Sequence, residues 1–172
     1  MVRAIQSLVG LANPLLFSLE HLLPRRLGDD AIQMGEAAAL QRYRSAAGLA
    51  ILGFGGLMLA LAAFAEPVLH FVLSPALAEH AWELQAFCGI YVLLLLRSLL
   101  SFVFRYGENT VPVLLGIAAG SATSVVTAYP LIVHFGIPGV LIGIALAQIV
   151  ATVSMALLLG RWLRRRLHAV SA

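Results

Sequence analysis

Apolar residues in this chain come in long uninterrupted runs rather than in short alternations. Four strong runs cover about residues 46–66, 84–104, 111–133 and 138–160. Each is about 20 residues or longer, enough to cross roughly 30 Å of hydrocarbon at about 1.5 Å per residue. A fifth, weaker run covers about 4–23, AIQSLVGLANPLLFSLEHLL, and carries Gln6, Asn13, Glu20 and His21. Asn13-Pro14 predicts a kink there. Polar groups are tolerated at membrane depth only against protein or water. The segment is therefore either a span that faces other helices or an interfacial helix. The pattern predicts an all-α, polytopic membrane protein with about five transmembrane helices in a single bundle over 1–172.

Glycines and prolines punctuate these runs. Gly53, Gly55 and Gly56 predict a slim surface for close helix contact in 46–66. Pro67 predicts a bend, with VLHFVLSP extending the helix until Pro75 stops it. Gly116, Gly120 and Ser124 share one helix face, and Gly139, Gly143 and Ala147 repeat that spacing. Helix packing is the preferred reading of both stripes. The connectors RYGENT and HFGIPG are short, and HFGIPG forces its two helices antiparallel. The stretch 24–45, PRRLGDDAIQMGEAAALQRYRS, predicts a longer loop. Asp29 and Asp30 are suited to start a short helix in it, with Ile32, Leu40 and Tyr43 as a weak apolar face for the membrane surface.

Composition agrees with lipid as the solvent. Of 172 residues, 61% are hydrophobic and only 11% charged, against about a quarter charged in soluble domains. Mean hydropathy is +0.96. All 11 basic residues are arginine. Alternating five spans puts Arg25, Arg26, Arg42, Arg44, Arg105, Arg161, Arg164, Arg165 and Arg166 on one side and only Arg3 on the other. The positive-inside bias makes the rich side cytoplasmic, including the loop 24–45 and the tail 161–172. Glu66, Glu79 and Glu83 then fall in an outer loop without arginine. Four spans would move only the N-terminus, which the charge count also permits. The arginine clusters suit anionic lipid, and no soluble domain carries a nucleic-acid patch. Arg3 before an apolar stretch is a weak signal-peptide match, which Pro14, Glu20 and His21 oppose.

Arg97 stands alone within IYVLLLLRSLLSFVF, residues 90–104. It lies about 12 Å from the cytoplasmic end of its helix, farther than snorkelling comfortably reaches. Arginine at mid-membrane costs on the order of 2.5–3.5 kcal/mol on the insertion scale, so it needs a partner or a wet cavity. One reading is a substrate-binding cation that attracts an anion such as a phosphate. The other is an ion pair with Glu20 or a bond to carbonyls beside Pro14. His70 and His134 read as interfacial, and Glu66 as a headgroup-layer residue. The single Cys88 allows no internal disulfide and matches no metal spacing. No catalytic set, phosphate-cradling loop or cofactor site is apparent, so the sequence predicts no enzyme, metal or cofactor.

ANPLLFSLEHLLPRR, then FRYGENTVPVLLG, then HFGIPGVLIGIALAQI before an arginine-rich tail resemble the C-terminal part of polysaccharide biosynthesis proteins. These are the oligosaccharide flippases of the multidrug/oligosaccharidyl-lipid/polysaccharide (MOP) transporter superfamily. In that family a helix ending in a basic residue precedes a short turn with Gly and Thr, as Arg105, Gly107 and Thr110 stand here. The last hairpin carries a Gly-Ile-x-Gly turn, as Gly136, Ile137 and Gly139 stand here, followed by Val140.

The resemblance implies the partial C-terminal lobe of a transporter in the bacterial inner membrane. Such a transporter flips lipid-linked oligosaccharide outward for envelope polysaccharide synthesis, with Arg97 toward the pyrophosphate. It also implies a missing N-terminal lobe or a second subunit, because two lobes rock around the family's cavity. The alternatives are a cation-coupled exporter of the same superfamily, and a non-transporting remnant or scaffold subunit of a polysaccharide assembly complex.

Overall fold

The computed structural model describes residues 2–106 and 109–170, with only the backbone described at 2–4, 36–37, 73, 76–77 and 162–170. Every regular element among the described residues is helical. The helices are α1 (Val2–Gly10), α2 (Asn13–Met34), α3 (Glu36–Ala63), α4 (Ala65–Val68), α5 (Ala81–Tyr106), α6 (Val111–Phe135) and α7 (Ile137–Val170). A π-helical turn at Leu69–Leu73 and a 3₁₀ helix at Pro75–His80 lie between α4 and α5.

Four stretches are long and apolar enough to cross a membrane: Ala38–Ala63, Ala78–Tyr106, Val111–Phe135 and Ile137–Arg161. Only 17% to 44% of each span's most apolar window is buried by protein. The remainder is apolar surface, such as Leu49, Leu52, Val125, Val126 and Leu157, which water would penalise and lipid covers. The chain is an all-α polytopic membrane protein.

Segment 4–23 is not among these four and is not one helix. α1 closes with tight bonds from Leu11 N–H to the Leu8 carbonyl and from Ala12 N–H to the Val9 carbonyl, and Asn13-Pro14 opens α2. The break falls where proline lacks the N–H to continue the ladder.

The stretch 24–45 is helical rather than a loop. α2 runs through Pro24, Asp29 and Asp30 to Met34, and α3 begins after Gly35 alone. The two aspartates sit inside α2 and do not start a helix. Leu, Arg, Ala, Gln and Met are strong helix formers, so the helix outlasts the end of the apolar run. Gly35 makes the reversal with φ +86°, a conformation that favours glycine.

The chain divides into two compact units, 1–95 and 96–172. In the first, α3 runs back along α2. Leu15 and Leu19 line a groove with Gly53 and Leu57, while Leu23 and Asp30 meet Arg42 and Tyr43. Arg42 bridges Asp30 at 3.0 Å beside the turn. α3 stops at Ala63, and Pro67 falls inside α4. The Ala62 carbonyl at this break accepts from Gln85 Nε2 at 3.2 Å. The helical path continues to Leu73 and ends before Pro75, as that proline predicts. Gly53, Gly55 and Gly56 are not contact glycines, because among the described residues a Cβ there meets no atom within 4 Å beyond its own stretch of helix.

In the second unit, α6 and α7 form a hairpin through Gly136, at φ +61°. Here the small residues do bring backbones together. A Cβ at Gly120 would lie 2.8 Å from the Ala147 carbonyl oxygen, and one at Gly139 would overlap the Leu131 carbonyl. Phe104, Val113 and Met155 form a buried cluster, flanked by Leu100, Leu158 and Leu159. Of the turn between α5 and α6, Gly107 lies outside the described residues.

Candidate functional site

Arg97 occupies the middle of α5 and lines a pocket of about 170 Å3 with residues of α6 and α7. Its other polar lining residues are Ser121, Ser124 and Gln148. Ile117, Gly120, Ala147 and Ala151 complete the wall. On α6, positions 117, 120, 121 and 124 share a face by helical periodicity, as 147, 148 and 151 do on α7. The close approach at Gly120 sets α7 beside α6, and the small residues next to that seam leave space rather than bulk. A polar pocket thus sits within stretches otherwise made of Leu, Val and Ile.

Arg97 is half-buried, and among the described residues it enters no ion pair. Its backbone carbonyl accepts from Ser101 Oγ at 2.9 Å, and that same hydroxyl lies 3.7 Å from Met155 Sδ. Among the described residues the hydroxyls of Ser121 and Ser124 make no hydrogen bond. Thr123 and Thr127 on the same helix bond back to the Ala119 and Thr123 carbonyls at 2.9 and 2.8 Å. On α7, Gln148 Oε1 and Thr152 Oγ1 are buried without a partner among the described residues. The lining therefore offers five guanidinium N–H donors, two uncommitted hydroxyls and one amide. That set suits an anion with attached hydrogen-bonding groups.

Glu20, the carboxylate considered for Arg97, belongs to α2 in the first unit. The Pro14 carbonyl accepts from Ser18 Oγ at 2.7 Å. His70, His134 and Glu66 are exposed near helix ends. His70 stacks edge-on against Phe71, at 5.1 Å between ring centroids. Cys88 is a buried free thiol. Among the described residues no cluster of His, Cys, Asp and Glu is suited to a metal.

Glu83 departs from its expected place in an outer loop. It lies in the first turn of α5 and is 2% exposed. Its Oε1 is 3.1 Å from His80 Nδ1, and its Oε2 is buried without a partner among the described residues. The signal in the sequence is the three-residue spacing of His80 and Glu83, which aligns them once both stand on one helical path. Ser121, Ser124 and Gln148 had no such signal. Ser124 read as the third member of a packing stripe; Gly116 and Gly120 of that stripe pack closely on α7, and Ser124 lines the pocket. Compared with known protein families, curated proteins and solved structures, the chain has no significant match.

Proposed function

We propose that this chain is the C-terminal part of a flippase-type transporter of the MOP superfamily. In this reading it moves lipid-linked oligosaccharide across the bacterial inner membrane, with its C-terminus in the cytoplasm. The observation that carries the proposal is Arg97: a cation inside a span, lining a polar pocket among three helices, with no carboxylate paired to it among the described residues. Such a cation is costly in lipid and repays its cost by drawing an anionic group such as a pyrophosphate. The 96–172 unit then supplies one wall of a translocation path. A second lobe or subunit supplies the other, and the two rock around the pocket.

The test is flipping of a fluorescent lipid-linked oligosaccharide in proteoliposomes that hold the purified chain, alone and with its partner lobe. Flipping above protein-free liposomes is expected, lost in Arg97→Gln and partly kept in Arg97→Lys, at equal protein levels. Unchanged flipping in Arg97→Gln would sink the proposal.

A second reading, a cation-coupled exporter of the same superfamily, gains support from Glu83, a buried carboxylate beside His80 in a spanning helix. It predicts that an imposed proton or Na⁺ gradient drives transport, and that Glu83→Gln abolishes that drive while leaving ligand binding intact.

A further inference from the structure

The pocket around Arg97 holds two kinds of hydrogen-bonding capacity, and a bare anion uses only one of them. Arg97 has donors and no acceptor, and each serine hydroxyl has one donor to give. These groups suit phosphate oxygens, which only accept once ionised. Gln148 is different. Its Oε1 is buried without a donor among the described residues, while the residue itself lines the pocket. A buried acceptor left unmade carries a desolvation cost that no oxygen of a fully ionised phosphate relieves, because both groups accept. A hydroxyl next to the phosphate does relieve it.

We infer that Gln148 is a specificity-determining residue that reads a hydroxyl adjacent to the anion held by Arg97, so that the pocket takes a hydroxylated phosphate ester in preference to a plain one. This inference rests on the anion-binding role proposed for Arg97 and assigns a role to a second residue of the same pocket. Gln148 follows Ala147, which meets Gly120 at the α6–α7 seam, and it shares the pocket wall with Arg97 and the two serines. A volume of about 170 Å3 leaves room for more than one small group.

The experiment is calorimetric titration of the full chain in phosphatidylcholine nanodiscs with two probes, methyl phosphate and glucose 1-phosphate. Both are phosphate monoesters, and only the second carries hydroxyls. The wild-type chain is expected to bind glucose 1-phosphate roughly 3- to 10-fold more tightly, the ratio that one neutral hydrogen bond supplies. Gln148→Met keeps the side-chain volume but removes the acceptor, and it should erase the preference while still binding methyl phosphate. Gln148→Glu keeps an acceptor and adds a repelling charge, so it should weaken both probes and retain their ratio.

If Arg97→Gln loses both probes while Gln148→Met keeps the preference, this inference is overturned and the anion site stands. A preference lost equally in Gln148→Glu and Gln148→Met overturns it as well. If neither probe binds the wild-type chain, or Arg97→Gln binds both as the wild type does, the anion role of Arg97 is wrong and the inference falls with it.

Discussion

At the scale of single residues, two charged side chains inside spanning helices are handled differently. Arg97 lines a polar pocket, whereas Glu83 is nearly enclosed and shares one oxygen with His80. The position of Arg97 was legible because it is the single charge in a mostly apolar stretch of fifteen residues, 90–104. Its neighbours were not, because Ser121, Ser124 and Gln148 stand on two other helices and only the fold brings them together. Glu83 was misplaced for a related reason: an acidic residue close to prolines reads as loop, and burial depends on packing that the local sequence does not display.

The His80–Glu83 contact makes a prediction at this scale. His80→Ala leaves a buried carboxylate without its His80 partner and should destabilise the protein by about 1–3 kcal/mol. Adding Glu83→Leu removes the stranded group and should recover most of that loss. Thermal unfolding in detergent of both variants checks this, and a double variant no more stable than His80→Ala would contradict it.

At the scale of elements, equal glycine spacing has unequal consequences. Gly53, Gly55 and Gly56 face open space, whereas Gly120 and Gly139 lie against backbone of a neighbouring helix or turn. Small-residue periodicity identifies a slim face but not whether a partner occupies it. Gly139→Ala should cost about 1–3 kcal/mol, since its methyl group would overlap the Leu131 carbonyl. Gly56→Ala should be neutral or stabilise α3 by up to about 1 kcal/mol through helix propensity. Melting curves that rank these two variants the other way would overturn the packing account of the α6–α7 hairpin.

The four strong spans were legible because a twenty-residue apolar run has few other fates. The helix across 24–45 was not, because the apolar signal ends at Leu23 while backbone propensity continues. The fate of 4–23 also turned on local chemistry, with Asn13-Pro14 dividing it into α1 and α2.

At the scale of the whole molecule, lipid is required to cover the apolar flanks of the four spans, and arginine distribution sets the proposed orientation. The span Ala38–Ala63 separates Gln33 from Glu79, both exposed. In a Cys88→Ala background, a membrane-impermeant maleimide should label Glu79→Cys on intact cells. It should label Gln33→Cys only after permeabilisation, as the positive-inside bias predicts. The reverse pattern would invert the proposed topology and the direction of transport with it.

The central claim is that Arg97 draws anions into a wet pocket between α5, α6 and α7. It can be tested without the natural substrate. In the Cys88→Ala background, Ser124→Cys places a thiol on the pocket wall, and its reaction rates with anionic and cationic methanethiosulfonate reagents report the local potential. The account predicts that the anionic reagent reacts faster, and that Arg97→Gln abolishes this advantage. A thiol that neither reagent reaches, or an advantage that survives Arg97→Gln, would contradict it.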